Sequence, residues 1–486
     1  MYRTSAHLKP EARKMSQCSP GTGEPRIAVL GGGILGAVLS LRLRRSGFAV
    51  TLLEAEDGLG GLAAGAQFGT YTWDRFYHVI LLSDFNTREL IEEVGLSDRL
   101  RWGTTKTGFY TDGSLHSMSN TMEFLRFPPL SLLDKLRLGW TIFLSSKIRH
   151  PQPLEQVLAI DWLRQRSGRN VVEKIWTPLL KSKLGRNYRI ASAAFIWAII
   201  ARMYAARRSG IKQEMFGYLE GGYGQVHARL RDLLLSAGVD VRTGFAVECV
   251  SHDASGHLIR SRSGESLRAD FTVSTLPPAI TARIAPQLTT QERDRLTAVT
   301  YQGIICASVL LRRPLSGYYV TNITDDWVPF TGVIEMTALV DPKRSFGGNS
   351  LVYLPLYLPQ DAEQWGATDE HIRGLFLQAL SRMYRGFNLD DVIDFQVARA
   401  RQVLAISTLD YTARLAPPVS TSVPGLYTIN SSQIAYGTLN VNETLGLISK
   451  HLPELLAHLE AQPHRRPVAA PPGPASGLPA AAVRLP

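Results

Sequence analysis

The sequence predicts an α/β protein: a nucleotide-binding domain on a parallel sheet, interleaved with a second domain of helices plus an antiparallel sheet. Three observations predict it. A strand–glycine turn–helix–strand unit occupies residues 27–54. Glycine-rich turns beside short β-type runs return near residues 217–280 and again near 425–442. Between them lie one stretch with apolar residues at helical spacing and one with several β-rich runs. At 486 residues the chain exceeds one ordinary hydrophobic core, so two intimately joined domains are expected.

The first unit reads Ile27-Ala-Val-Leu-Gly-Gly-Gly-Ile-Leu-Gly36. Its apolar start is a buried strand, and Gly31, Gly33 and Gly36 have the G-x-G-x-x-G spacing. Gly31 permits the tight turn, Gly33 admits a pyrophosphate close to the backbone, and Gly36 lets the helix pack on the strand. The helix N-terminus, at Ile34 and Leu35, offers N–H groups to the anion. Leu35, Val38, Leu39 and Leu43 continue the helical spacing, Gly47 ends the helix, and residues 48–53 form the second strand. Glu54, followed by Ala55, closes that strand 23 residues after Gly31, where an acid accepts hydrogen bonds from a ribose diol. The acid favours a free 2′-hydroxyl, since a 2′-phosphate would repel it.

Residues 1–25 mix charges with Pro and Gly, lack an apolar signal core, and read as a disordered extension. Residues 26–107 are the first part of the nucleotide-binding domain, and 108–216 a helical, basic part of the second domain. In 217–280 the first domain resumes: a glycine turn at Gly221-Gly222, a helix over 225–237, then short strands with turns at Ser255-Gly256 and Ser263-Gly264. Residues 281–404 are the β-rich part of the second domain. Residues 405–461 return to the first domain with a strand at 425–430 and a helix from about Asn442. The Pro/Ala-rich tail, 462–486, reads as disordered.

Composition narrows the function. The 45% apolar fraction is that of a globular protein, and Cys18, Cys249 and Cys306 are too scattered for a disulfide framework or a metal site. The 11 histidines form no H-E-x-x-H pair, so no metal is expected. The best apolar run, 190–201, is too short to span a bilayer, and a cytoplasmic protein is expected. The net charge of +11 is concentrated: residues 131–212 hold 16 Lys/Arg against 4 Asp/Glu, so the remainder is nearly neutral. Such a field favours an anionic substrate or peripheral contact with an acidic membrane through 131–212, or else reflects solvated helix faces. The stretch matches no nucleic-acid motif, so nucleic acid is not an expected partner.

With Gly60-Gly61 added to the fingerprint, the chain resembles the FAD-dependent flavoproteins related to amine oxidases and protoporphyrinogen oxidases. The closest resemblance is to the bacterial protoporphyrinogen-oxidase-like group. Besides the first unit, three segments carry it: Asp74-Arg-Phe-Tyr-His78; Gly221-Gly222 through Val247 to Ser274-Thr275-Leu276-Pro277; and Gly425-Leu-Tyr-Thr-Ile-Asn430 with Thr438-Leu-Asn-Val-Asn442. The resemblance implies a Rossmann-type FAD-binding domain interleaved with the substrate domain. It implies FAD contacts at Gly60, Gly61 and Leu62, at Val247 and Thr275, and at Asn430, Asn440, Val441 and Asn442. The last helix start would face the flavin, where its positive dipole end stabilises negative charge on the reduced ring. Two departures stand out. Phe76-Tyr77 replace a Gly-Pro, and residues 301–311 lack the lysine that amine oxidases place near the flavin, which disfavours amine oxidation in the strict sense.

The catalytic candidates are His78, Glu335, Tyr353 and Tyr357. His78 could orient substrate or exchange a proton, or be a structural histidine. Glu335, amid Val, Ile and Met, could face the pocket or pair with an arginine. Tyr353 and Tyr357 share one strand face and line either the cavity or the core. The expected reaction is hydride removal from a CH–XH or CH–CH unit of a small or medium organic molecule, anionic or membrane-derived, with reoxidation by oxygen or a quinone. A redox-neutral mutase acting on a nucleotide sugar, similar to UDP-galactopyranose mutase, and a non-catalytic flavoprotein are the alternatives.

Overall fold

Strand Arg26–Leu30 alternates strictly in what its side chains touch, and this defines the first layer of the molecule. The computed structural model describes residues 24–206 and 215–461. Ile27 and Val29 enter one core with the helices Ile34–Arg45, Gly224–Ser236 and Val441–Ala461. Ala28 and Leu30 point the other way, onto Phe245 and onto Val250, Ile259 and Ala269 of a three-stranded antiparallel meander. A strand apolar at every inner position is the pattern of a parallel sheet covered on both faces.

That sheet has five strands in the order Leu426–Thr428, Phe271–Ser274, Arg26–Leu30, Ala49–Leu53 and Asp240–Arg242. Every neighbouring pair is parallel. Its strands come from three separate stretches of chain, so it closes only when the whole described chain is folded.

The second sheet has seven strands: Val392–Ala405, Tyr301–Leu311, Ser350–Pro359, Gly332–Glu335, Val320–Ile323, Thr107–Thr111 and Ser114–Ser117. Tyr301–Leu311 is buried along its whole length. Two expectations are corrected here. The sheet is not wholly antiparallel, because Val320–Ile323 pairs in parallel with Thr107–Thr111. The stretch from Gly108 opens not with helix but with the hairpin Thr107–Ser117. Thr111 pairs with Ser114 around Asp112-Gly113, both at positive φ, which is the two-residue turn that Asp-Gly favours.

Helices Leu132–Ser145, Ala159–Ser167, Thr177–Leu184 and Ala193–Ala206 then pack around Trp162, Leu163, Trp176, Phe195 and Ile196. Of the expected disordered ends, 1–23 and 462–486 lie outside the described residues, as do the basic residues Arg207, Arg208 and Lys212, whereas Glu24 is placed and pairs with Arg44. Among the described residues no helix is long and apolar enough to cross a membrane.

Candidate cofactor and substrate site

The glycine turn is built so that side chains are excluded from one groove. Gly31 has φ +103°, its N–H donates to Leu53 O at 2.8 Å, and a Cβ there would lie 2.7 Å from Thr275 Oγ1. A Cβ on Gly36 would sit 1.9 Å from Gly31 O, so helix and turn touch backbone to backbone. At Gly33, by contrast, a Cβ would meet nothing nearer than Gly61 Cα at 4.0 Å. Gly60 N donates to Gly32 O at 3.0 Å, and a Cβ on Gly61 would come 3.2 Å from Gly33 Cα. Two glycine loops thus face each other across bare backbone. The first intrahelical bond is Ala37 N to Gly33 O, which leaves the N–H groups of Ile34, Leu35 and Gly36 for an anion.

The other expected contacts fall around this groove. The Glu54 carboxylate accepts from Gly32 N at 2.6 Å and Glu56 N at 2.9 Å, and Ala55 beside it is exposed. Thr275 lies behind the turn, where its hydroxyl donates to Leu30 O at 2.8 Å and holds Gly31 in place. Val247 is half-buried against the meander core, and Leu62 leads from the glycine doublet to a cluster of aromatic side chains. Asn440 Oδ1 caps the last helix by accepting from Glu443 N at 3.0 Å, and Asn440 O accepts from Thr444 N. The N–H groups of Val441 and Asn442 remain at the helix start. Asn442 is tied to Asn86, which donates from its backbone N at 3.0 Å and from Nδ2 at 3.1 Å. Asn430 caps a short turn: Oδ1 accepts from Ser432 N and Oγ, while its buried Nδ2 has no protein partner among the described residues.

Three of the four catalytic candidates are brought together around Asp74 and Tyr77. Asp74 ends strand Tyr71–Asp74, is 2% exposed, and accepts from Tyr223 N at 2.7 Å. His78 Nδ1 stands 3.6 Å from its other oxygen, beyond hydrogen-bond reach. Tyr353 OH donates to Asp74 O, and Tyr357 OH shares a 2.8 Å hydrogen bond with Tyr77 OH. Burial pushes the phenols of Tyr77, Tyr353 and Tyr223 well up, so each stays a neutral hydroxyl. Arg75 Nη2 donates to Gly61 O at 3.1 Å and joins this cluster to the glycine cradle.

Glu335 leaves the catalytic set. It is 1% exposed, and its carboxylate accepts from the backbone N–H groups of Leu315, Ser316 and Gly317 at 2.9–3.0 Å, with the Ser316 hydroxyl at 3.2 Å. It faces neither a pocket nor an arginine. It fixes the turn between two strands of the second sheet.

Sequence reasoning noted Tyr77 only as a departure from a Gly-Pro and gave no individual role to Arg75, Lys183 or His227. Lys183 Nζ lies 5.3 Å from the Tyr357 ring centroid, and among the described residues it has no carboxylate partner. Nothing local in helix Thr177–Leu184 signals that contact. His227 is buried, and neither ring nitrogen has a partner among the described residues. Burial, aided by the nearby His78, pushes it down to about 4.

A profile of the family described as flavin containing amine oxidoreductase matches residues 38–434. The chain belongs to that family. FAD is accordingly its cofactor, and the cradle fits it, since the N–H groups of Ile34, Leu35 and Gly36 are free at a helix start that Gly33 and Gly61 leave bare of side chains, as a diphosphate requires. The flavoprotein is 23% identical over 424 residues to coproporphyrinogen III oxidase of Propionibacterium freudenreichii subsp. freudenreichii, covering 73% of this chain and 78% of that one. It is 22% identical to flavin-containing amine oxidase B of Sus scrofa over 59% of this chain, and the match spans only 57% of that relative's length. In fold it is similar to a protein of Exiguobacterium sp. 255-15 provisionally named protoporphyrinogen oxidase. The TM-score is 0.71 at 20% identity, over 90% of this chain and all of the other.

Proposed function

We propose that this flavoprotein is an oxidoreductase that removes a hydride from a CH–XH or CH–CH unit of a small or medium anionic, or membrane-derived, organic molecule. The observation that carries the reading is the continuity from the glycine cradle through Arg75 to the Asp74, Tyr77, Tyr353 and Tyr357 cluster. Gly31, Gly33, Ile34, Leu35, Gly36, Gly60 and Gly61 hold the diphosphate, and Glu54 the adenosine ribose. Val441 and Asn442 present the helix dipole to the flavin end. When bound, FAD supplies the two-electron acceptor. The Tyr77–Tyr357 pair orients substrate, the half-buried Lys183 ammonium receives its anionic group, and His78 is placed to move a proton. Oxygen or a quinone takes the electrons onward, and the basic stretch 131–212 draws the protein to acidic membranes.

The test is anaerobic reduction by candidate carboxylated substrates, followed by air. Stoichiometric bleaching and reoxidation support the reading. A substrate that turns over only on the pre-reduced protein, without net reduction, would replace it with the mutase alternative. In Lys183→Met the KM for an anionic substrate is expected to rise about tenfold with kcat nearly unchanged, as for a contact equal in ground and transition states.

A further inference from the structure

Helix Leu132–Ser145 is folded inside out. The residues it buries are Asp134, Lys135, Thr141 and Ser145, with Leu138 alone apolar among them. All four polar groups are matched. Asp134 accepts from Ser131 Oγ and Asn170 Nδ2, Lys135 Nζ donates to Leu125 O at 2.7 Å, and the two hydroxyls donate to helix carbonyls. The opposite face carries Leu132, Leu133, Leu136, Trp140 and Phe143, exposed from 40% at Phe143 to 68% at Leu133. At 3.6 residues per turn these five fall within about 100° of arc, directly opposite the buried set. Trp140 and Phe143 stack at 5.6 Å, and Met122 and Leu125 of the preceding helix extend the patch. A solvated helix face has the reverse composition. A patch of this size marks a surface that something apolar covers.

We propose that this face docks in the plane of an anionic lipid bilayer. The charges around it choose that occupant. Arg126, Arg137, Lys147 and Arg149 are exposed at its borders, and Lys147 Nζ lies 5.1 Å over the Phe143 ring. A second copy of the chain would bring two faces of the same sign together, whereas an acidic headgroup layer neutralises them. A helix of 14 residues, about 21 Å long, lies in such an interface and does not span it. The inference gives the membrane contact of the proposed function its surface, and it holds whether or not the redox reading does.

The experiment is co-sedimentation of the purified holoprotein with phosphatidylglycerol/phosphatidylcholine vesicles and with phosphatidylcholine alone, flavin absorbance being read on the same samples. Wild type is expected to bind the anionic vesicles. The double variant L136E/W140E is expected to lose at least tenfold in bound fraction with flavin content and melting temperature unchanged. Brominated lipid is expected to quench tryptophan fluorescence in wild type and less in W140F, which retains the fold. Equal binding to neutral vesicles, or no binding by wild type, overturns the proposal. So does a wild-type dimer that L136E/W140E converts to monomer, which would assign the face to a second copy. Loss of flavin with vesicle binding intact would count against the cofactor site and leave this surface standing.

Discussion

Gly36 and His227 show how single positions hold the site. A methyl group on Gly36 has no room, since Gly31 O stands 1.9 Å from where its Cβ would be. Gly36→Ala is expected to force helix Ile34–Arg45 off the glycine turn, costing about 3 kcal/mol as an overpacked contact and releasing FAD. Thermal melting and the flavin content of the purified variant check it. His227 makes stability depend on pH. Its folded value, about 4, lies below the 6.5 of the unfolded chain. The unfolded state therefore binds the extra proton between those values, and stability falls as pH drops from about 6.5 to about 4. The loss is on the order of 3 kcal/mol. His227→Phe replaces the titrating ring with an apolar aromatic one, and is expected to flatten that limb in melts taken from pH 7 to pH 4.

Glu335 acts on an element: it holds the turn at residues 315–317 beside strands Val320–Ile323 and Gly332–Glu335. Glu335→Ala leaves three backbone N–H groups without their acceptor and is expected to cost about 3 kcal/mol. In the same variant kcat is expected to stay within about twofold, because the turn lies outside the proposed catalytic cluster; a kcat loss with unchanged melting would return Glu335 to chemistry. The parallel sheet was legible because its inner strands are short, mostly apolar and bounded by a glycine or an acid, as in 26–30 and 49–53. The hairpin at 107–117 carried a readable signal in Asp112-Gly113, which lost to the longer helical periodicity following it. Its parallel pairing with Val320–Ile323 had no local signal, since the partners lie over two hundred residues apart.

Across the whole molecule, the glycine cradle and the candidate cluster around Asp74 differ in how they could be read. The cradle rests on backbone conformation, and glycine spacing reports backbone conformation directly: Gly31, Gly33, Gly36, Gly60 and Gly61 all sit at the groove. The cluster rests on side chains from distant elements, Asp74 and Tyr77 from one, Tyr353 and Tyr357 from another, Lys183 from a third, and only the assembled fold brings them together. Glu335 was misjudged for the same reason: its partners are amides of a turn no pattern announces. The account as a whole rests on FAD in the cradle. The absorbance spectrum of the purified protein, before and after denaturation, tests this most directly. Flavin bands, with FAD released in amounts equimolar with the chain and lost in Gly36→Ala, are the predicted result. A colourless protein that cannot be reconstituted with FAD would contradict it.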